Sequence, residues 1–128
     1  MQTQGQVGTV IFVAASSPEA IIQQDMEARG LKMQWARSIE AAHCWLNSAL
    51  ERTVIVTELA LADGNWRDLV ERVRCVRRPI PIVLLTPAIT AELWWDALEC
   101  GVEDILHRRL AASLLSQLME RHFGQRPR

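Results

Sequence analysis

No stretch of this 128-residue chain approaches the roughly 20 consecutive apolar residues of a membrane-spanning helix, so no membrane role is expected. The opening Met1 to Gly8 is polar and lacks the basic and apolar regions of a signal peptide, which makes a cytoplasmic, reducing setting the expectation. A surplus of one charge is missing too: the formal net charge is −1, which gives no global pull towards nucleic acid or anionic lipid. Cysteine is scarce. Cys44, Cys75 and Cys100 are odd in number, widely spaced and without a C-x-x-C pair, so buried free thiols are expected rather than a redox or metal site. His43, His107 and His122 show no metal-ligand spacing. There is no G-x-G-x-x-G, P-loop or G-x-S-x-G, which removes the common nucleotide and hydrolase motifs. Tyrosine is absent, and five tryptophans with two phenylalanines carry the aromatic content.

What is present is a regular alternation. Gly8 to Ala15 reads as a wholly apolar, central first strand. Ser16-Ser17-Pro18-Glu19 reads as a helix start, with serine as cap and proline at the first helical position, and Gly30 closes that helix. Leu31 to Arg37 alternates as a short second strand. Ser38 caps a second helix with the stripe Ile39, Ala42, Leu46, Ala49 and Leu50. Thr53 to Glu58 is a β-branched third strand ending in one acid, followed by a loop with the turn dipeptide Asp63-Gly64. A third helix over about Asn65 to Val76 turns Trp66, Leu69, Val70, Val73 and Val76 inward. Ile82 to Leu85 is the fourth strand, Thr90 to Cys100-Gly101 the fourth helix, Asp104 to His107 the fifth strand, and Ala111 to Phe123 the last helix. Strands alternating with helices through short loops predict an α/β, doubly wound, five-stranded parallel sheet in a three-layer sandwich. One domain over residues 9–123 is expected, with 1–8 as a flexible N-terminus and 124–128 as a tail. In such a sheet the carboxyl ends of the strands line the site, which places Glu58 at the functional edge.

Three segments resemble the response-regulator receiver domain, the CheY-like fold with strand order 2-1-3-4-5. Glu58-Leu59-Ala60-Leu61-Ala62-Asp63-Gly64 is similar to D-L-x-L-P-D-G. Pro81-Ile82-Val83-Leu84-Leu85-Thr86 is similar to P-V-I-x-L-T/S, and Gly101-Val102-Glu103-Asp104-Ile105-Leu106-His107-Arg108 to G-A-x-D-Y-L-x-K. The resemblance covers nearly the whole chain and implies phosphoryl transfer from a histidine kinase to an aspartate at the end of the third strand. It also implies a Mg²⁺ held by that aspartate and an acidic pair after the first strand.

The chain departs from that pattern where the chemistry is done. The acidic pair falls on Ala14 and Ala15, or on Ala15 and Ser16 if Pro18 is the anchor, and neither register supplies a carboxylate. The acceptor position is Glu58, the hydroxyl position is Thr86, the lysine is Arg108, and the switch aromatic is Ile105. With one carboxylate left, Mg²⁺ binding is expected to be lost or weak, so no cofactor is expected. Glu58 is a methylene too long for near-attack geometry, which is spoiled by a misplacement of about 1 Å. The expectation is a degenerate pseudo-receiver, not an enzyme. Glu58 either pairs with Thr86 or Arg108, fixing an active-like conformation, or is a solvated remnant. Asp63 as a stand-in acceptor competes with its reading as a turn residue.

Trp94-Trp95 stand about 100° apart on the fourth helix, so both indoles cannot face the sheet. The resemblance makes the fourth helix, fifth strand and last helix a dimer or output surface, with an exposed indole as its anchor. The partner expected there is a protein or a second copy, with a histidine kinase or an output domain as further candidates. Arg72, Arg74, Arg77 and Arg78, with Arg108 and Arg109, read as solvated faces among acids rather than a nucleic-acid site. Two other functions remain: a divergent receiver still phosphorylated at Glu58 or Asp63, and a small flavodoxin-like ligand-binding protein or enzyme. The latter would use the loop Ala14-Ala15-Ser16-Ser17 and the helix N-terminus behind it.

Overall fold

A computed structural model describes residues 8–48, 52–76, 78–108 and 111–123. Five parallel strands form the central sheet: β1 (Gly8–Val13), β2 (Leu31–Ala36), β3 (Thr53–Glu58), β6 (Ile82–Thr86) and β7 (Asp104–His107). Their order is β2-β1-β3-β6-β7, the expected 2-1-3-4-5 when main-sheet strands alone are counted. Between them run α1 (Ala20–Ala28), α2 (Ile39–Ser48), α3 (Trp66–Arg74), α4 (Ala91–Cys100) and, after β7, α5 (Ala111–Phe123). Right-handed crossovers place α1 and α5 on one face and α2, α3 and α4 on the other.

The period of two in each strand divides the core into two layers. Ile11, Val13, Ile55, Leu84 and Ile105 point to one face, where Leu46 of α2, Leu69 of α3 and Ala97 of α4 meet them. Val10, Phe12, Val56, Val83 and Leu106 point to the other, against Met26 of α1 and Leu115 and Leu118 of α5. Because β1, β3 and β6 are covered on both faces, their sequences are near-continuous apolar runs. Register sets the functional edge: Val13 lies beside Thr57, Glu58 beside Leu85, and Thr86 beside His107.

Several expectations need correction. β1 ends at Val13, which leaves Ala14 and Ala15 in the loop, and Gly8 belongs to the strand rather than to a flexible terminus. A Cβ on Gly8 would lie 2.8 Å from the Arg52 carbonyl and would run into the Phe123 ring, so only glycine lets α5 close on β1. α1 begins at Ala20, with Glu19 as a cap that makes no side-chain hydrogen bond. The first helical acceptor is the Glu19 carbonyl, and Pro18 lies before the helix, on the wall of a small cavity also lined by Phe12, Ile22 and Leu85. β2 ends one residue early, at Ala36. Cys44 and Cys75 are exposed and Cys100 is half-buried, all three free: Cys44 lies off the Ile39, Ala42 and Leu46 stripe of α2, Cys75 is the residue that ends α3, and Cys100 packs partly against the core. Ala49, Leu50, Arg77, Arg109 and the two terminal segments 1–7 and 124–128 lie outside the described residues.

The loop after β3 is also more structured than expected. Ala60–Leu61 (β4) and Gly64–Asn65 (β5) pair as a miniature antiparallel hairpin. Asn65 then caps α3, accepting from Arg67 and Asp68 N–H, while the Asp68 carboxylate accepts from the Asn65 N–H to close a capping box. Asp63, at the hairpin tip, is a tertiary cap. Its carboxylate accepts from the Ile39 N–H at 2.8 Å and the Glu40 N–H at 3.2 Å, at the start of α2, while Ser38 serves the Ala41 N–H. The Ile39 bond holds the Asp63 carboxyl below the usual carboxylate range. A depressed folded-state pKa means the unfolded chain binds the proton more tightly. The stabilisation is therefore complete above the unfolded value of about 3.9 and lost as pH falls through the folded one. Asp63→Ala should cost about 1–2 kcal/mol at pH 7, and the gap from the parent should narrow below about pH 4. Urea unfolding of both proteins across that range checks it; a gap that widens in acid would reverse the sign.

Candidate functional site

The carboxyl ends of β1, β3, β6 and β7 bring Ala14, Ala15, Glu58, Thr86 and Arg108 to one edge of the sheet. Glu58 closes β3 with its side chain only 15% exposed, so it is not a solvated group. Its Oε2 accepts a hydrogen bond from Arg108 Nη1, one residue beyond β7, and its Oε1 faces the Ala15 N–H at 3.4 Å. The guanidinium itself is about half exposed, at 52%. The carboxylate thus bridges the loop after β1 and the loop after β7, using both oxygens.

Thr86 takes no part in this pair. It is buried, and its hydroxyl donates to the Ala88 carbonyl at 2.8 Å and accepts from the Ala88 N–H at 3.2 Å. The hydroxyl's proton and one of its lone pairs are spent inside its own loop. Ile105, three residues before Arg108, is buried in the core that contains Ala97 and Val102. An isoleucine has no polar tip, so no hydrogen-bonding group leads from this position to the surface.

The loop after β1 offers no acid. Ala14 is buried, donating its N–H to the Ala36 carbonyl at 3.0 Å and accepting from Trp35 Nε1 at 3.0 Å. Ala15 and Ser16 are exposed. The Trp35 contact escaped the sequence reading. Its signal is the parallel register, since Trp35 lies beside Phe12 on the edge strand and reaches two residues along to Ala14. The Arg37 guanidinium covers the indole at 4.6 Å from its centroid.

A hard divalent ion needs several oxygen ligands, and a Mg²⁺ site of the receiver type needs carboxylates after β1. Here the one carboxylate is engaged by a guanidinium and faces a backbone N–H, and the flanking side chains are methyl groups. These residues do not fit Mg²⁺. Among the described residues no three His, Cys, Asp or Glu side chains group as a metal site. The Asp63 carboxylate is engaged by the first N–H groups of α2.

Four further arginines are bound within the chain. Arg72 pairs with Glu40 at 2.8 Å, Arg67 with Asp96, and Arg74 and Arg52 donate to the carbonyls of Cys100 and His122 at the ends of α4 and α5. Both indoles of Trp94-Trp95 are exposed, at 45% and 64%, with Leu98 at 50% beside them. No helix among the described residues is long and apolar enough to cross a membrane.

The structure has the receiver-domain fold, and the solved structures it resembles include response regulators and their receiver domains. A two-component response regulator from Clostridium difficile superposes with a TM-score of 0.79 at 21% identity, covering 92% of this chain and 99% of that one. A response regulator from Thermotoga maritima gives 0.78 at 15%, covering 92% and 98%. A chemotaxis response regulator of Vibrio cholerae gives 0.77 at 19%, covering 89% and 97%. No family model matches the sequence, and no curated protein matches it.

Proposed function

We propose that this chain is a receiver-fold signalling module that works by protein–protein contact, without phosphorylation of the acceptor position and without catalysis of its own. The observation that carries the reading is the Glu58–Arg108 pair. It occupies the acceptor carboxylate with the chain's own cation, in a site whose other acidic positions are Ala14 and Ala15. A guanidinium is a natural partner of a carboxylate, and here one of its nitrogens meets Glu58 where a phosphoryl group's counter-charge would be needed. Charge balance in the site is therefore internal. The contact face is α4 with its indoles, in a response-regulator setting where the partner is an output domain, a kinase or another regulator.

The test is a backbone-amide NMR titration with Mg²⁺ to about 10 mM, then with beryllofluoride as a phosphoryl mimic. No shift is expected at Ala15, Glu58 or Thr86. Mg²⁺-dependent beryllofluoride binding would overturn the reading and make the protein a phosphorylated switch despite its missing acids.

A further inference from the structure

Resting on the contact-module reading, we propose that the outer face of α4 docks a cationic amphipathic helix of a partner protein. At about 100° per residue, Leu93 and Ala97 turn towards the sheet. Trp94, Leu98, Ala91 and Trp95 then follow one another around about 100° of the outward arc. All four are exposed, and they form a continuous apolar ridge rather than scattered side chains. Glu99 and Glu92 occupy the next part of the arc, also exposed, and neither has an ion-pair partner among the described residues. Asp96 comes next and is bound to Arg67 of α3, which fixes the acidic edge on the α3 side and leaves the apolar ridge facing the other way.

The asymmetry of charge is continuous along the chain. From Pro87 to Leu106 there are acids at 92, 96, 99, 103 and 104 and no lysine, arginine or histidine. A ridge of indole and leucine with one acidic flank is the complement of a helix whose apolar stripe is edged by lysine or arginine. An acidic helix would place like charges together, and a strand would leave the indoles, about one turn apart from Leu98, without matching side chains. The indoles supply the affinity and the two glutamates the orientation and the selection.

The experiment uses the full chain and two tyrosine- and tryptophan-free peptides about four helical turns long, one of leucine and lysine and one of leucine and glutamate, by isothermal titration calorimetry. The lysine peptide should bind about 5- to 10-fold tighter at low salt, with the margin shrinking as ionic strength rises towards about 0.15 M. The double variant Glu92→Lys/Glu99→Lys should invert the preference, and Trp95→Ala/Leu98→Ala should weaken the binding of the lysine peptide at least about ten-fold. Both pairs are exposed, so circular dichroism should show folded protein in each case. An unchanged preference in the charge-reversed variant overturns the proposal, as does lysine-peptide binding that survives loss of the ridge. Sedimentation of the free chain distinguishes the remaining occupant: a dimer abolished by Trp95→Ala/Leu98→Ala makes the partner a second copy, sinking the cationic helix while the contact face stands. The beryllofluoride titration reports on the contact-module reading independently of either outcome.

Discussion

Trp66→Ala should lose about 3–5 kcal/mol of stability, while Trp95→Ala should stay within about 0.5 kcal/mol of the parent. The two residues are chemically identical and differ only in what surrounds them. Trp66 opens α3, is 3% exposed and lies in the core with Leu69, Val70 and Ile39. Removing it leaves a cavity that the rigid sheet and the boxed helix start cannot collapse around. Trp95 is 64% exposed and has no buried area of that size to lose. A domain of this length has a total stability of about 5–15 kcal/mol, so the first change takes a large part of it. Chemical denaturation of the two variants makes the measurement. Similar losses in both would mean that Trp95 is covered in the free protein, which would remove the ridge on α4.

Restoring the missing acids should restore metal binding. The triple variant Ala14→Asp/Ala15→Asp/Glu58→Asp puts three carboxylates at the ends of β1 and β3 and shortens the side chain that reaches Arg108. Without metal the clustered like charges should make it less stable than the parent. With Mg²⁺ the order of effects reverses, because an ion that binds only the folded form stabilises it by mass action. A dissociation constant on the order of 1 mM gives about 1.4 kcal/mol at 10 mM Mg²⁺, which for a chain of this size raises the melting temperature by about 4–8 °C. The parent should show no specific rise. If the parent responds as strongly as the variant, the alanines are not what prevents metal binding, and the argument from the donor set fails.

The two layers of the core were legible in the sequence because burial on both faces forces apolar runs, as in Val54 to Val56, and burial on one face forces helical stripes, as in Leu69, Val70 and Val73. The ends of α4 were legible because a threonine cap at Thr90 and a left-handed glycine at Gly101 (φ 83°) are local chemistry. α1 was misread for the opposite reason. Ser17 and Pro18 have the composition of a helix start, but the chain stays extended through Glu19 and the helix begins only at Ala20. The β4–β5 hairpin was invisible since two-residue strands have no period to detect. Of the site, the identities of Glu58, Thr86 and Arg108 could be read off, and their pairing could not: whether the carboxylate meets the hydroxyl or the guanidinium depends on loop geometry. The same holds for Asp63, whose partners at Ile39 and Glu40 lie more than 20 residues upstream. Cysteine exposure differed from expectation because residue type does not fix position: Cys44 lies off the buried stripe of α2 and Cys75 just past the end of α3.

The absence of tyrosine acquires a use once the tryptophans are placed. The near-ultraviolet emission of this chain is dominated by indoles, some sealed in the core as Trp66 is and others in water as Trp94 and Trp95 are. Unfolding moves Trp66 into water and shifts the emission to the red. Covering α4 takes Trp94 and Trp95 out of water and shifts it to the blue. The molecule carries an optical reporter whose colour change has opposite sign for denaturation and for docking, so a partner can be recognised in a cuvette without a label.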